Sequence, residues 1–214
     1  MKVFVIGAHG QIGKKIVSKL VAQGDQVFAG IRQPEQGEAF EDAGAQPVSF
    51  NLLEQPAALA VAFKGMDAVV FAAGSGGQTG YDMTLMIDLD GAVKSMQAAE
   101  LANVKRYVIV SAEFTTDRAK WPNSLKPYYV AKYYADEWLK TRTQLDYTIL
   151  QPGTLVNDAG TGKVTVNPGI GGEITRDDVA TFAVKTLSTP KTIGKTIALI
   201  NGETPIATAV EAEG

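Results

Sequence analysis

Three glycines carry the first chemical signal. Gly7, Gly10 and Gly13 follow the apolar run Lys2–Ile6 directly, and a helical pattern begins at Gln11. Gly7 permits a tight turn, a residue without a side chain lets backbone approach a pyrophosphate, and Gly13 lets helix pack on strand. The unpaired N–H groups and partial positive charge of a helix start then favour phosphate. Gln11 and Ile12 lie in that first turn. His9, in the loop, offers either its ring or its backbone N–H to a phosphate or ribose. A glycine loop between a strand and a helix, at the head of a βαβ series, is read as a dinucleotide site.

A second group lies in the middle of the chain. Tyr128 and Lys132 are four apart, so on a helix they share one face. An ammonium beside a phenol favours tyrosinate and would bring Tyr128 below its ordinary pKa of about 10, towards the range of a general acid or base. Ser111 directly follows the apolar run Arg106–Val110, where strand carboxyl ends build the site of an open α/β sheet. Tyr128, Lys132 and Ser111 are therefore the expected catalytic residues. With no cysteine and a single histidine in the chain, thiolate chemistry and Cys- or His-rich metal sites are excluded, and no metal is expected.

Other positions suit a nicotinamide dinucleotide. An NAD site places Asp or Glu after the second strand for the ribose 2′-OH. Here Gly30-Ile31-Arg32 has no acid, and the Arg32 guanidinium can fork onto a 2′-phosphate. NADP is favoured on this ground, with NAD the alternative. Ala72-Ala73-Gly74 ends the fourth strand with small residues that suit close approach of a ribose, and Pro152 is placed to line the nicotinamide. Asp88 and Asp90 are read as solvated or capping residues of a long helix, and Asp177-Asp178 as acids of a helix N-terminus.

Alternating elements must position these residues. Short apolar runs at Lys2–Ile6, Gln26–Gly30, Gln46–Phe50, Ala68–Ala72, Arg106–Val110 and Tyr147–Leu150 suit strands buried on both faces. Helical patterns separate them at Gln11–Ala22, Glu35–Ala43, Glu54–Phe63, Thr84–Ala102 and Tyr128–Arg142. This order predicts an α/β, Rossmann-type doubly wound, mostly parallel sheet with helices on both faces. Past Leu150 the pattern loosens into a long loop with a short strand at Lys163–Val166, a helix at Asp177–Leu187 capped by Thr175 or Asp177, a last strand at Thr196–Ile200 and a tail from Ala207. The reading is one domain over 1–214, in which about 151–214 adds a small substrate-side region.

Composition narrows the partners. The 214 residues carry a formal net charge of -3 with scattered Lys and Arg, so no nucleic-acid partner is expected. No apolar stretch approaches the roughly 20 residues of a membrane span, and the opening run is too short for a signal-peptide core, so a cytoplasmic protein is expected. A small-molecule substrate is the expected partner. Thr84–Ala102 is long enough to pair across a dimer, which leaves monomer and homodimer both open.

Together, Gly7–Gly13 (spaced GxxGxxG), Val110-Ser111-Ala112, Tyr128-x-x-x-Lys132, Asp146–Gly153 and Ile174–Ala180 resemble the atypical short-chain dehydrogenase/reductases. The nearest likeness is to the small NmrA-like and flavin/biliverdin-reductase-like NAD(P)-binding proteins. The resemblance implies Tyr128 as proton donor, Lys132 on the nicotinamide ribose and Ser111 near the substrate carbonyl. Where the family often has Asp followed by Leu or Val at the adenine, this chain has Asn51-Leu52, and Asn51 retains hydrogen-bonding groups for adenine. The expected function is NADP-dependent hydride transfer to a small carbonyl or flavin-like acceptor. The alternatives are an NAD(P)-binding regulator without turnover and, more remotely, a nucleotide-sugar epimerase-like enzyme.

Overall fold

The computed structural model describes residues 1–76 and 79–212. Its sheet begins where the sequence is most apolar. Strand β1 (Lys2–Ile6) pairs in parallel with β2 (Gln26–Ile31) on one side and β4 (Ala68–Phe71) on the other. β3 (Gln46–Ser49) extends the sheet beyond β2, while β5 (Arg106–Val110) and β6 (Asp146–Pro152) extend it beyond β4, all in parallel. The continuous apolar runs are explained by layers on both faces. Val3 and Val5 enter one core, whereas Phe4 and Ile6 enter the other.

The first core is covered by α1 (Gln11–Ala22), the short α2 (Glu38–Asp42) and α7 (Arg176–Leu187), and the second by α3 (Pro56–Phe63), α5 (Ala92–Leu101) and α6 (Lys126–Arg142). Phe4, Phe50 and Phe63 close the second core, with ring centroids 4.9, 5.0 and 5.5 Å apart. Each such buried side chain stabilises the fold by about 1.5–3 kcal/mol. The long helix before β5 starts at α4 (Tyr81–Met83), earlier than its sequence pattern suggests, and runs through Thr84–Gly91 into α5. That middle segment is π-helical, a widened turn that concentrates at functional sites.

Past β6 the chain is more ordered than its Gly, Pro and Thr content implies. β7 (Thr154–Val156) pairs with β9 (Glu173–Thr175) in a separate two-stranded sheet. β8 (Lys163–Val166), β10 (Lys195–Asn201) and β11 (Thr204–Pro205) complete the main sheet, which among the described residues has nine strands in the order β11-β8-β10-β6-β5-β4-β1-β2-β3. Thr175 caps α7, its hydroxyl accepting from the Asp178 N–H. The expected tail is instead helix α8 (Ile206–Ala212). Ile206, Ala209 and Val210 recur at helical spacing and are buried in the first core, which is why the segment folds back. The architecture is a Rossmann-like, doubly wound sheet.

Removing the anchor of that last helix should be costly. Ile206→Ala is expected to lower stability by about 2–5 kcal/mol in urea unfolding, where a disordered tail would give no change.

Candidate active site

In a sheet of this order the chain leaves β1 and β4 in opposite directions, and the crevice between their carboxyl ends is where such folds bind ligands. The register aligns Ile6 with Phe71 and Phe71 with Ile109, so Gly7, Ala72 and Ser111 emerge at one edge. Gly7 has φ +75, and a Cβ there would stand 2.6 Å from Ala73 Cα. At Gly13 a Cβ would stand 2.1 Å from the Gly7 carbonyl oxygen. No side chain with a Cβ fits either place without moving backbone. The first turn of α1 carries no side-chain cap, which leaves N–H groups directed at the crevice.

That crevice is a cleft of about 710 Å³. It brings together Gly10, Gln11 and Ile12 at one wall, Ala72, Ala73 and Gly74 at the floor, and Ser111, Tyr128 and Lys132 beyond them. His9, in the turn after β1, and Arg32, just past the end of β2, lie outside this lining. His9 is exposed; partial burial, then Lys14, then Arg32 depress its pKa, which favours a neutral imidazole beside two cations. Among the described residues no carboxylate ion-pairs with Arg32, whose backbone N–H is held by the Gln36 side chain at 3.1 Å. Asn51 is exposed and its Oδ1 accepts from the Leu53 N–H at 3.1 Å, leaving its amide N–H groups outward. Leu52 is buried in the second core, and Pro152 is buried at the end of β6 with its carbonyl accepting from the Glu113 N–H.

Helix α6 presents Tyr128, Lys132 and Asp136 at intervals of four, one stripe against the sheet edge. Lys132 is 2 % exposed and donates to the Val110 carbonyl at 3.1 Å. Its ammonium faces Asp88 Oδ1 at 3.7 Å. Asp88 is fully buried, so the solvated or capping role expected for it is overturned. The π-helical turn carries it inward beneath the cleft, where Oδ2 accepts from the Ser75 N–H at 2.9 Å. Asp90 is exposed as expected and pairs with Lys94. The sequence signal for Asp88 was weak, because the widened turn breaks the helical period used to assign faces.

The direction of the Tyr128 pKa also departs from expectation. Burial pushes the phenol above its ordinary value, and Asp88 and then Asp136 push it further. The Lys132 ammonium sits 5.7 Å from the Tyr128 ring centroid, and its charge is shared with Asp88. In this arrangement the phenol is a proton donor and not a ready base.

Two features fit a dinucleotide independently of any motif. Asp88 Oδ1 is buried, faces the Lys132 ammonium and has no hydrogen-bond partner among the described residues, and it lies 3.1 Å from where a Gly74 Cβ would be. It is an acceptor awaiting a donor such as a ribose hydroxyl. At the opposite wall the uncapped α1 terminus awaits an anion, and Arg176 of α7 lines the same cleft with Nη1 bound to Leu155 O and Asn157 Oδ1. The sequence offers Arg176 only as part of the Ile174–Ala180 resemblance and gives it no role, since its placement depends on α7 packing beside α1.

Comparison with known proteins agrees with this geometry. A family model described as NAD(P)H-binding matches residues 7–190. The chain is 47 % identical to the uncharacterized sugar epimerase YhfK of Bacillus subtilis, over 99 % of both chains. It is 38 % identical to the solved oxidoreductase ylbE of Lactococcus lactis, with a TM-score of 0.92 over 99 % of this chain and 96 % of that one. The anaerobilin reductase ChuY of Escherichia coli O157:H7 shares the fold at 24 % identity and a TM-score of 0.79, covering 95 % and 98 % of the two chains.

If Asp88 is the counter-charge of Lys132, Asp88→Ala leaves a buried ammonium with one carbonyl partner. A loss of about 3–5 kcal/mol is expected in chemical denaturation, and a loss under 1 kcal/mol would show that the pair is not coupled. By its glycine loop and the family model that covers residues 7–190, the chain belongs to the NAD(P)H-binding family, in keeping with its resemblance to the atypical, NmrA-like short-chain dehydrogenase/reductases.

Proposed function

We propose that this protein is an NADP-dependent oxidoreductase acting on a small substrate at the carboxyl end of β5. The observation that carries the reading is the single cleft holding the uncapped start of α1 together with Ser111, Tyr128 and Lys132. When bound, the nicotinamide supplies or accepts the hydride. The chain does the rest. Backbone from Gly10 to Ile12 holds the pyrophosphate, and Lys132 with Asp88 holds ribose hydroxyls as donor and acceptor. Tyr128 gives its proton to the oxygen of the reacting carbon, a task suited to a phenol held in its neutral form.

The NADP preference is supported by the cations at the end of β2. Arg32 follows β2 and Lys14 of α1 is near enough to act on the same His9 ring, which stays neutral, and the carboxylate that would bind a free 2′-OH is missing. A cytoplasmic location is part of the same proposal; what stands behind it is that no described helix is long and apolar enough to cross a membrane. The second reading, a nicotinamide-binding regulator without turnover, draws support from the raised Tyr128 and from a lysine tied to Asp88. The names of relatives add an epimerase reading, which uses the same cleft.

Two measurements separate these. With NADPH and a panel of carbonyl and flavin acceptors, Tyr128→Phe should lower kcat by about 10²–10⁴-fold while cofactor affinity stays within about twofold. Absence of turnover by the wild-type protein, with NADPH still bound, would favour the regulator. Arg32→Ala should weaken NADP at least about tenfold relative to NAD in calorimetric titration, and equal affinities for the two in the wild type would sink the assignment.

A further inference from the structure

Behind Ser111, on the side away from the cleft, lies the carboxylate of Asp136, 1 % exposed. Three groups converge on its Oδ2: Ser111 Oγ at 2.8 Å, Thr115 Oγ1 at 3.1 Å and Gln151 Nε2 at 3.2 Å. Gln151 Nε2 also donates to Thr115 Oγ1 at 2.6 Å. An amide nitrogen only donates, so the Thr115 oxygen accepts and its single proton is directed to Asp136. Ser111 has one proton as well, and Oδ2 takes it. The polarity of the whole cluster is therefore set from the Gln151 end.

Protonation of Asp136 would not undo this order. Its Oδ1 is buried and without a hydrogen-bond partner among the described residues, whereas Oδ2 already receives three donors. A proton taken up at Oδ1 leaves all three donors to Oδ2 in place, so Oδ2 continues to accept. In either state Ser111 turns a lone pair, and not its proton, towards the cleft that it lines.

We propose that Asp136 is a positioning residue that fixes Ser111 as a hydrogen-bond acceptor, so that the substrate is a compound offering a hydroxyl to Ser111 beside the reacting carbon. The proposal rests on the oxidoreductase reading and deepens it by naming the substrate class: hydroxy-carbonyl compounds and the corresponding diols. A bare carbonyl oxygen, which only accepts, gains nothing from Ser111, and its donor is Tyr128. The expectation that Ser111 acts on the substrate carbonyl is replaced by recognition of its neighbour. Sequence held one clue, since Asp136 lies four residues beyond Lys132 on the same helix face.

Neutron diffraction from deuterated protein tests the polarity without any turnover. The Ser111 deuteron is expected on the line to Asp136 Oδ2; a deuteron pointing into the cleft, or one carried by Oδ2 towards Ser111, overturns the proposal. Kinetics test the consequence with NADPH and paired acceptors, hydroxyacetone against acetone and glyceraldehyde against propionaldehyde. The hydroxylated member should show kcat/KM about tenfold higher, the worth of one hydrogen bond. Ser111→Ala should bring each pair within about twofold. Asp136→Asn, whose carbonyl can replace Oδ2, should keep the preference, and Asp136→Ala should lose it. No preference in the wild type, or one that survives Ser111→Ala, rejects the substrate class. If no acceptor is reduced at all, the oxidoreductase reading fails, and the deuteron position alone decides the role of Asp136.

Discussion

The contact between the turn after β1 and the end of β4 governs what the rest of the molecule can do. Gly7, at φ +75, lies so close to Ala72 and Ala73 that an added Cβ would overlap their backbone. Gly13 is equally close to the carbonyl of Gly7, so α1 starts hard against the strand that feeds it. This approach leaves the helix terminus uncapped and aimed at the crevice. A phosphate there meets N–H groups and a partial positive charge with no side-chain cap and no acid in the first turn of the helix.

Two sets of buried charge mark the two ends of the sheet, and they serve different ends. At the amino end of β5, Arg106 is held by Asp146 O, Thr148, Thr186 O and Thr192. Burial lowers its pKa to about 10 despite the nearby Asp146. Its bonds fasten the end of α7 and the following turn to the sheet, away from the cleft. At the carboxyl end, Asp88, Lys132 and Asp136 face inward from two helical segments. Buried ions seldom add net stability, so their retention beside an open cleft is best explained by what they bind or orient.

These inward charges also tie the chemistry together. Lys132 answers to Asp88 and Val110, Tyr128 is held as a neutral phenol by the same carboxylates, and Ser111 is bound to Asp136. Each side chain of the site thus has a partner on another element. The geometry depends on β5, β6, α6 and the π-helical turn being packed together, and not on any one motif.

The sequence alone determined the parallel sheet, because long apolar runs flanked by helical periods have few other ways to bury both faces. It also determined the glycine turn, where only backbone geometry is at stake, and the pairing of Tyr128 with Lys132 on one helix face. Tertiary structure decided the rest. The inward turn of Asp88 needed the π-helical segment, whose spacing differs from the ordinary helix by which its face had been assigned. Helix α8 formed because Ile206, Ala209 and Val210 found the first core to fold against, and seven residues would not have held a helix by propensity. The raised Tyr128 and the acceptor role of Ser111 arise from carboxylates on the π-helical segment and on a later turn of α6. Residue types and spacing name the groups that can do chemistry, but the direction of a proton depends on neighbours that only the fold brings near.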